Sequence, residues 1–174
     1  MNNLILTARL DTNAQRYFDR LRAEHFPAER NFLRAHLTLF HALPERELER
    51  VQEALSGAAQ RYGAFEARVG GLRSLGSGVA YEVECPPLAE LRAEWARSWR
   101  DFLSPQDRQT WRPHITVQNK VNAEAARELL GSLRRDFTPM PIEFRGLDLW
   151  RYEGGPWTVV QGYPFLMNHV KGNR

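Results

Sequence analysis

The sequence predicts an α+β fold with two lobes, in which two small, mostly antiparallel sheets line a central cleft and helices cover the outer faces. Its 174 residues, 43% of them hydrophobic, suit one domain with a sizeable core. Short apolar segments alternate with amphipathic ones in the order helix, strand, helix, strand, strand, and this order occurs twice. The pattern Arg-x-His-x-Thr occurs once in each copy, at 34–38 and 112–116.

The first half contains four predicted strands and two predicted helices. Asp11 or Thr12 is suited to cap the first helix, whose apolar residues recur at helical spacing. Pro44 is placed to begin the second helix, because a proline at the first helical position loses no hydrogen bond. The strands are predicted from apolar or alternating segments bounded by turn residues, at 4–10, 34–41, 65–73 and 79–85.

The second half contains two more helices and three more strands. Pro86 and Pro87 are placed to open the third helix, and Asn122 is suited to cap the fourth. The polar segment SPQDRQT between them is predicted to be a loop. The strands are predicted at 112–119, 141–152 and 157–165.

A shift of 78 residues places the first half of the chain on the second. His36 then matches His114, and Thr38 matches Thr116. Gly71-Leu72 and Gly146-Leu147 match at a shift of 75, which indicates a small insertion or deletion. The chain is therefore interpreted as a single domain made of two internal repeats, at about 1–78 and 79–166.

Strand alternation assigns these residues to faces. On the first motif strand, Arg34, His36, Thr38 and Phe40 are predicted to share one face, and Leu37, Leu39 and His41 the other. On the second, Arg112, His114 and Thr116 share a face. Since the aliphatic faces should pack on the outer helices, the polar faces should meet in the central cleft. Two imidazoles, two hydroxyls and two guanidiniums suit an anion there, most naturally a phosphate.

Two histidines across a phosphate can perform acid–base catalysis near neutral pH, since imidazole titrates near 6.5. His36 and His114 are therefore the candidate catalytic pair, and Thr38 and Thr116 the candidate phosphate-binding hydroxyls. The remaining residues have two interpretations each. Arg34 and Arg112 contact the substrate or pair with acidic neighbours, and Phe40 and Trp111 stack on a base or pack in the core. His25, His41 and His169 have no match in the repeat and are predicted to be surface or packing residues.

The segments AHLTLFHALP and WRPHITVQNKV resemble the paired His-x-Thr motifs of the 2H phosphoesterase superfamily, in its bacterial 2′-5′ RNA ligase and 2′,3′-cyclic phosphodiesterase branch. The resemblance covers nearly the whole chain. It implies a metal-independent enzyme that needs no cofactor, acts on RNA with 2′,3′-cyclic phosphate ends or on cyclic nucleotides, and yields a 2′-phosphate. It also implies reversible 2′-5′ ligation. We expect His114 to be the base and His36 the acid in hydrolysis, and the pseudo-symmetry of the two motifs leaves the reverse assignment open.

Other features limit the alternatives. The net charge of +3 permits an anionic ligand but does not by itself indicate a nucleic-acid-binding protein. The single cysteine, Cys85, ends an apolar segment and is expected to be a buried structural thiol. The N-terminus has no signal-peptide pattern and no segment has the ~20 apolar residues of a membrane helix, so a cytoplasmic protein is expected. A monomer is expected because both catalytic halves lie in one chain. The alternative function is a non-catalytic module that binds RNA or a nucleotide in the same cleft.

Overall fold

The computed structural model describes residues 2–167, so His169 lies outside the described residues. In this range the chain forms seven strands, four α-helices and two short 3₁₀ turns. The strands are β1 (Asn3–Leu10), β2 (Leu37–Pro44), β3 (Phe65–Ser74), β4 (Val79–Glu84), β5 (His114–Gln118), β6 (Met140–Tyr152) and β7 (Trp157–Pro164). The helices are α1 (Thr12–His25), α2 (Leu48–Arg61), α3 (Pro86–Ser98) and α4 (Ala123–Arg135).

All strand pairs are antiparallel, in the order β2-β1-β6-β3-β4-β5, and β7 also pairs with β6. The α+β class is therefore confirmed. The two expected small sheets are joined into one, because the 13-residue β6 runs through both lobes. Its first part, 140–144, pairs with β3, and its second part pairs with β1 on one side and β7 on the other.

The helices pack on the sheet with their apolar residues inward, as helical spacing predicts. On α1, Ala14 and Phe18 are buried, and the ring of Phe18 lies 5.3 Å from that of Tyr81 on β4. On α3, Trp95 stacks on Trp99 at 5.5 Å between ring centroids. Because α1 packs against β5, a helix of the first half covers a strand of the second.

The ends of the helices follow their capping residues. The Asp11 side chain accepts a hydrogen bond from the Ala14 amide at 2.8 Å, and the Asn122 side chain does the same for Ala125. The prediction that Pro44 begins the second helix is wrong. Pro44 is extended and pairs with Asn3, so β2 ends there, and a 3₁₀ turn at Glu45–Glu47 precedes α2.

Two irregularities in β2 overturn the predicted alternation of side chains. Thr38 lies opposite Thr7, but Phe40 lies opposite Leu6, so Leu39 is an extra residue in the ladder. Cross-strand partners share a face of the sheet, so Phe40 shares the core face with Leu6. His41 takes the opposite face, toward the cleft. The predicted faces of Phe40 and His41 are thus exchanged.

Cys85 is buried, as expected, and its thiol contacts the Glu66 carbonyl at 3.5 Å. Burial raises the pKa of this thiol, which keeps it protonated. No helix within residues 2–167 is both long and apolar enough to cross a membrane.

Candidate active site

The two motif histidines occupy matching places in the fold. His36 directly precedes β2, and His114 is the first residue of β5. The Nδ1 atom of His36 lies 2.8 Å from the Arg34 carbonyl oxygen, and Nδ1 of His114 lies 2.7 Å from the Arg112 carbonyl oxygen. Each ring is therefore anchored to the backbone two residues earlier in the chain.

This anchoring selects the tautomer of each ring. A carbonyl oxygen only accepts hydrogen bonds, so each Nδ1 must carry the proton and donate it. In the neutral ring Nε2 then holds the lone pair. Neither Nε2 has a hydrogen-bond partner in the part of the chain that the structure describes. Both histidines can therefore exchange a proton with a ligand through Nε2.

Hydrogen bonds between the two halves hold the motif strands together. Arg22 on α1 donates to the Thr116 carbonyl oxygen on β5 at 3.2 Å. In the other direction, the Trp111 indole N–H donates to the Thr38 carbonyl oxygen at 3.0 Å. Arg92 on α3 also donates to the Leu39 carbonyl oxygen at 3.0 Å. Each half thus supplies donors to the motif strand of the other.

Burial and neighbouring positive charges favour the neutral form of both imidazoles. Burial lowers the pKa of His36 to about 4, and the positive charges of Arg22, His114 and His41 act in the same direction. Burial also lowers the pKa of His114, with further lowering by Arg73, His41 and Arg112. The two rings lie close enough that a charge on His114 affects His36. A bound phosphate would offset this positive surplus and favour protonation of a ring.

The other predicted site residues fall into three groups. Thr38 and Thr116 lie two residues after the histidines and are half-buried. Arg34 and Arg112 are exposed beside the histidines and pair with acidic residues, Asp19 at 3.2 Å and Glu82 at 3.5 Å. Phe40 is placed in the core instead of the cleft. It is fully buried against Trp99 and the Arg92 guanidinium because of the bulge in β2.

The cavity on the His36 side, of about 330 Å³, is called the aromatic cavity here because Phe32, Trp150 and Trp157 are part of its lining. The ring of Trp157 lies 4.9 Å from that of His36, and Trp150 lies beside it. Phe32, in the loop before β2, also lines this cavity and is 80% exposed. The pair between Arg9 and Asp148, at 2.6 Å, also lines this cavity. These residues lie outside both His-x-Thr motifs, so only the sheet register reveals that β1, β6 and β7 bring them to His36.

The cavity on the His114 side, of about 370 Å³, is polar. Thr38, His41, Arg73 and Arg112 line it together with His114. Sequence reasoning missed Arg73, whose guanidinium lies 3.3 Å from Nδ1 of His114. It also placed His41 on the wrong face, because no residue pattern in the motif reveals the bulge.

In residues 2–167, no three or more His, Cys, Asp or Glu side chains are grouped so that they could hold a metal ion. The model for the 2′-5′ RNA ligase superfamily matches residues 10–156, which include both motifs and therefore His36 and His114. The chain belongs to this superfamily. The resemblance seen in the two motifs is therefore confirmed. No curated protein matches the sequence.

Solved structures show that the fold is shared with this superfamily. TT0787 of Thermus thermophilus superimposes with a TM-score of 0.69 at 18% identity, over 95% of this chain and 98% of that one. LigT of E. coli complexed with 3′-AMP gives 0.64 at 16% identity, over 95% and 99%. LigT complexed with phosphate gives 0.55 at 18% identity, over 95% and 98%. Membership of the superfamily makes the chain an enzyme of the phosphoesterase or ligase type.

Proposed function

We propose that the protein is a metal-independent 2′,3′-cyclic phosphodiesterase that acts on RNA ends or nucleotides, with His36 and His114 as its acid–base pair. The observation that carries this proposal is the matched anchoring of the two rings. Each Nδ1 is held by a backbone carbonyl, and each Nε2 is free of protein partners among the described residues. Because both histidines and both threonines lie in one chain, we propose that a monomer is active.

Hydrolysis then needs one neutral and one protonated histidine. His114 takes a proton from water as the water oxygen bonds to phosphorus. The bond between phosphorus and the ribose 3′-oxygen breaks, and His36 gives its proton to that oxygen. The product carries a 2′-phosphate. The low pKa of His36 applies to the free protein, and the negative charge of the bound substrate raises it so that His36 can carry the proton it donates.

The charge that develops on the phosphate is stabilised by donors on both strands. The hydroxyls of Thr38 and Thr116, each two residues from a histidine, donate to the nonbridging oxygens. The guanidinium of Arg73 adds positive charge on the His114 side. No carboxylate lies within ion-pair distance of Arg73 among residues 2–167, so its charge is available to a ligand.

The aromatic cavity beside His36 suits the base of the nucleotide that carries the cyclic phosphate. Trp157 and the exposed Phe32 offer ring faces, and a base stacks on such faces irrespective of its identity. LigT of E. coli, which has this fold, has been solved with 3′-AMP, which is consistent with a nucleotide in this cleft. Joining 2′-5′ linkages is the same chemistry with an RNA hydroxyl in place of water, so we propose reversible ligation as well.

The test uses an RNA oligonucleotide with a 2′,3′-cyclic phosphate end, incubated in EDTA with the wild type, His36→Ala and His114→Ala. The wild type is expected to open the ring and leave a 2′-phosphate. Each variant is expected to lose about 10²–10⁴-fold in kcat, since each removes one proton-transfer group. Product isomers are resolved by chromatography against 2′- and 3′-phosphate standards.

His25→Ala is the matched control, because His25 ends α1 beside Glu24 and lines neither cavity. It should leave kcat unchanged. A folded wild type that binds the RNA but leaves every cyclic end intact would instead support the non-catalytic binding module. Turnover that is abolished by EDTA and restored by a divalent metal would contradict the two-histidine mechanism.

A further inference from the structure

The cavity on the His114 side contains a histidine that the two-histidine mechanism does not use. His41 reaches this cavity because of the bulge at Leu39, and its side chain is 40% exposed there. It lies beside His114 and Thr38 yet outside the His-x-Thr pattern. His41 is therefore placed to contact a ligand in this cavity.

A buried carboxylate holds His41 in place. Asp107 is fully buried, and its Oδ1 accepts from the His41 amide at 2.8 Å and lies 3.2 Å from Nδ1 of the His41 ring. Its Oδ2 accepts from the Ala42 amide at 2.9 Å. Nδ1–H therefore points to Asp107, and the ring is held with Nε2 turned away from it. A protonated His41 offers an Nε2–H donor supported by the carboxylate.

The charges around His41 favour an anion. The buried guanidinium of Arg92 donates to the Asp107 backbone carbonyl at 2.9 Å, and its charge offsets that of the Asp107 carboxylate. Glu82 partly offsets Arg112 at 3.5 Å. Arg73 has no carboxylate within ion-pair distance among the described residues, and Glu82 acts on it only at longer range. The cavity therefore retains a positive surplus even when His41 is neutral.

The cavity has room for more than the scissile phosphate, which His114 and Thr38 in its lining are proposed to hold. At about 370 Å³ it is as large as a small-molecule pocket, and so is the aromatic cavity of about 330 Å³. One histidine of the catalytic pair lines each cavity, so a phosphate between His36 and His114 has space on both sides. The substrate can therefore extend beyond the scissile phosphate into the cationic cavity.

We propose that the His114-side cavity is a subsite for a second phosphate group of the substrate, bound by His41, Arg73 and Arg112, with Asp107 as the positioning residue for His41. This inference rests on the proposed function and specifies its substrate class. The enzyme prefers an RNA-like molecule with a phosphate next to the scissile one over a nucleoside cyclic monophosphate.

The second phosphate can come from either side of the reacting ribose, and two pairs of substrates distinguish the sources. The first pair is adenosine 2′,3′-cyclic phosphate with and without a 5′-phosphate. The second pair is 2′-5′-linked diadenosine monophosphate with and without a 3′-phosphate on the second adenosine. In the pair whose extra phosphate reaches the subsite, that phosphate is expected to lower KM about tenfold. This is the scale of one or two charge-assisted hydrogen bonds.

His41→Gln and Arg112→Ala are expected to bring that KM ratio close to one. His41→Gln leaves the Asp107 carboxylate bonded to both backbone amides, so the fold should be retained. Arg68→Ala is the matched control, because Arg68 is an exposed arginine paired with Glu84 at 3.1 Å and lines neither cavity. It should leave the ratio as in the wild type.

Calorimetric binding of adenosine 3′-monophosphate and adenosine 3′,5′-bisphosphate gives a readout that does not need turnover. If no substrate is turned over, the proposed function fails, and this comparison still tests the subsite for a phosphate on the 5′ side. Equal KM and equal Kd with and without the extra phosphate would overturn the subsite alone. So would a His41→Gln variant that loses kcat equally on both members of a pair, since His41 would then act on the scissile phosphate.

Discussion

At the residue scale, the two active-site imidazoles combine an anchored Nδ1 with positive surroundings. Burial and neighbouring arginines hold both pKa values below the usual 6.5. The anionic phosphate acts in the opposite direction once it is bound. The same groups therefore titrate in different pH ranges in the free and the bound enzyme.

This difference predicts displaced pH profiles. The profile of kcat/KM follows the free enzyme, so its maximum should lie below pH 6.5, where one ring is neutral and one protonated. The profile of kcat follows the complex and should lie at higher pH. Arg73→Gln removes a positive charge beside His114, so it should move the kcat/KM maximum upward. Steady-state rates from pH 4 to 9 measure both profiles, and coincident maxima in the wild type would contradict this account.

At the element scale, the sequence predicted the strands and caps well and the faces of one strand poorly. Asp11 and Asn122 cap their helices as expected, because a capping side chain acts over three residues. The bulge at Leu39 depends on how β2 pairs with β1, which lies some thirty residues earlier. Periodicity within β2 cannot show it, so Phe40 and His41 were assigned to each other's faces.

The β3–β4 hairpin offers a test of how β5 is positioned. A Cβ atom at Gly78 would overlap the Gln118 carbonyl at the end of β5. Gly78→Ala should therefore displace β5 and lower the free energy of unfolding by about 1–3 kcal/mol. Urea unfolding measures this as a lower midpoint. Gly131→Ala on α4, where the added Cβ meets open space, should be neutral or stabilising by up to about 1 kcal/mol.

At the scale of the whole molecule, the cleft depends on donors that cross between the halves. Arg22 of the first half holds the backbone of the second motif strand, while Trp111 of the second half holds the first. Sequence reasoning located the motifs but not these bonds. The residues bonded are far apart in the chain, with separations of 94 positions for Arg22 and Thr116 and 73 positions for Trp111 and Thr38. The distance between the two histidines is therefore set by contacts between the halves and not by the local sequence of either motif.

Trp111→Phe removes one of these bonds and keeps an aromatic ring. Loss of a hydrogen bond to the Thr38 carbonyl should lower the free energy of unfolding by about 1 kcal/mol. The loss of kcat should be larger, about tenfold or more, because a small displacement of reacting groups is costly. Tyr163→Phe, which loses a hydroxyl contact with Gln161 away from both cavities, is the control. An unchanged kcat with the expected loss of stability would show that this bond does not align the site.

The single long strand β6 has a consequence for any half-length version of this chain. Residues 1–78 contain β1, β2 and β3 but lack the strand that lies between β1 and β3 in the sheet. Such a fragment would leave one edge of β1 and both edges of β3 unpaired, since β4 is absent as well, and exposed edges of this kind associate with other chains. We therefore expect a half-length polypeptide with this sequence pattern to self-associate through these edges, not to remain a monomer.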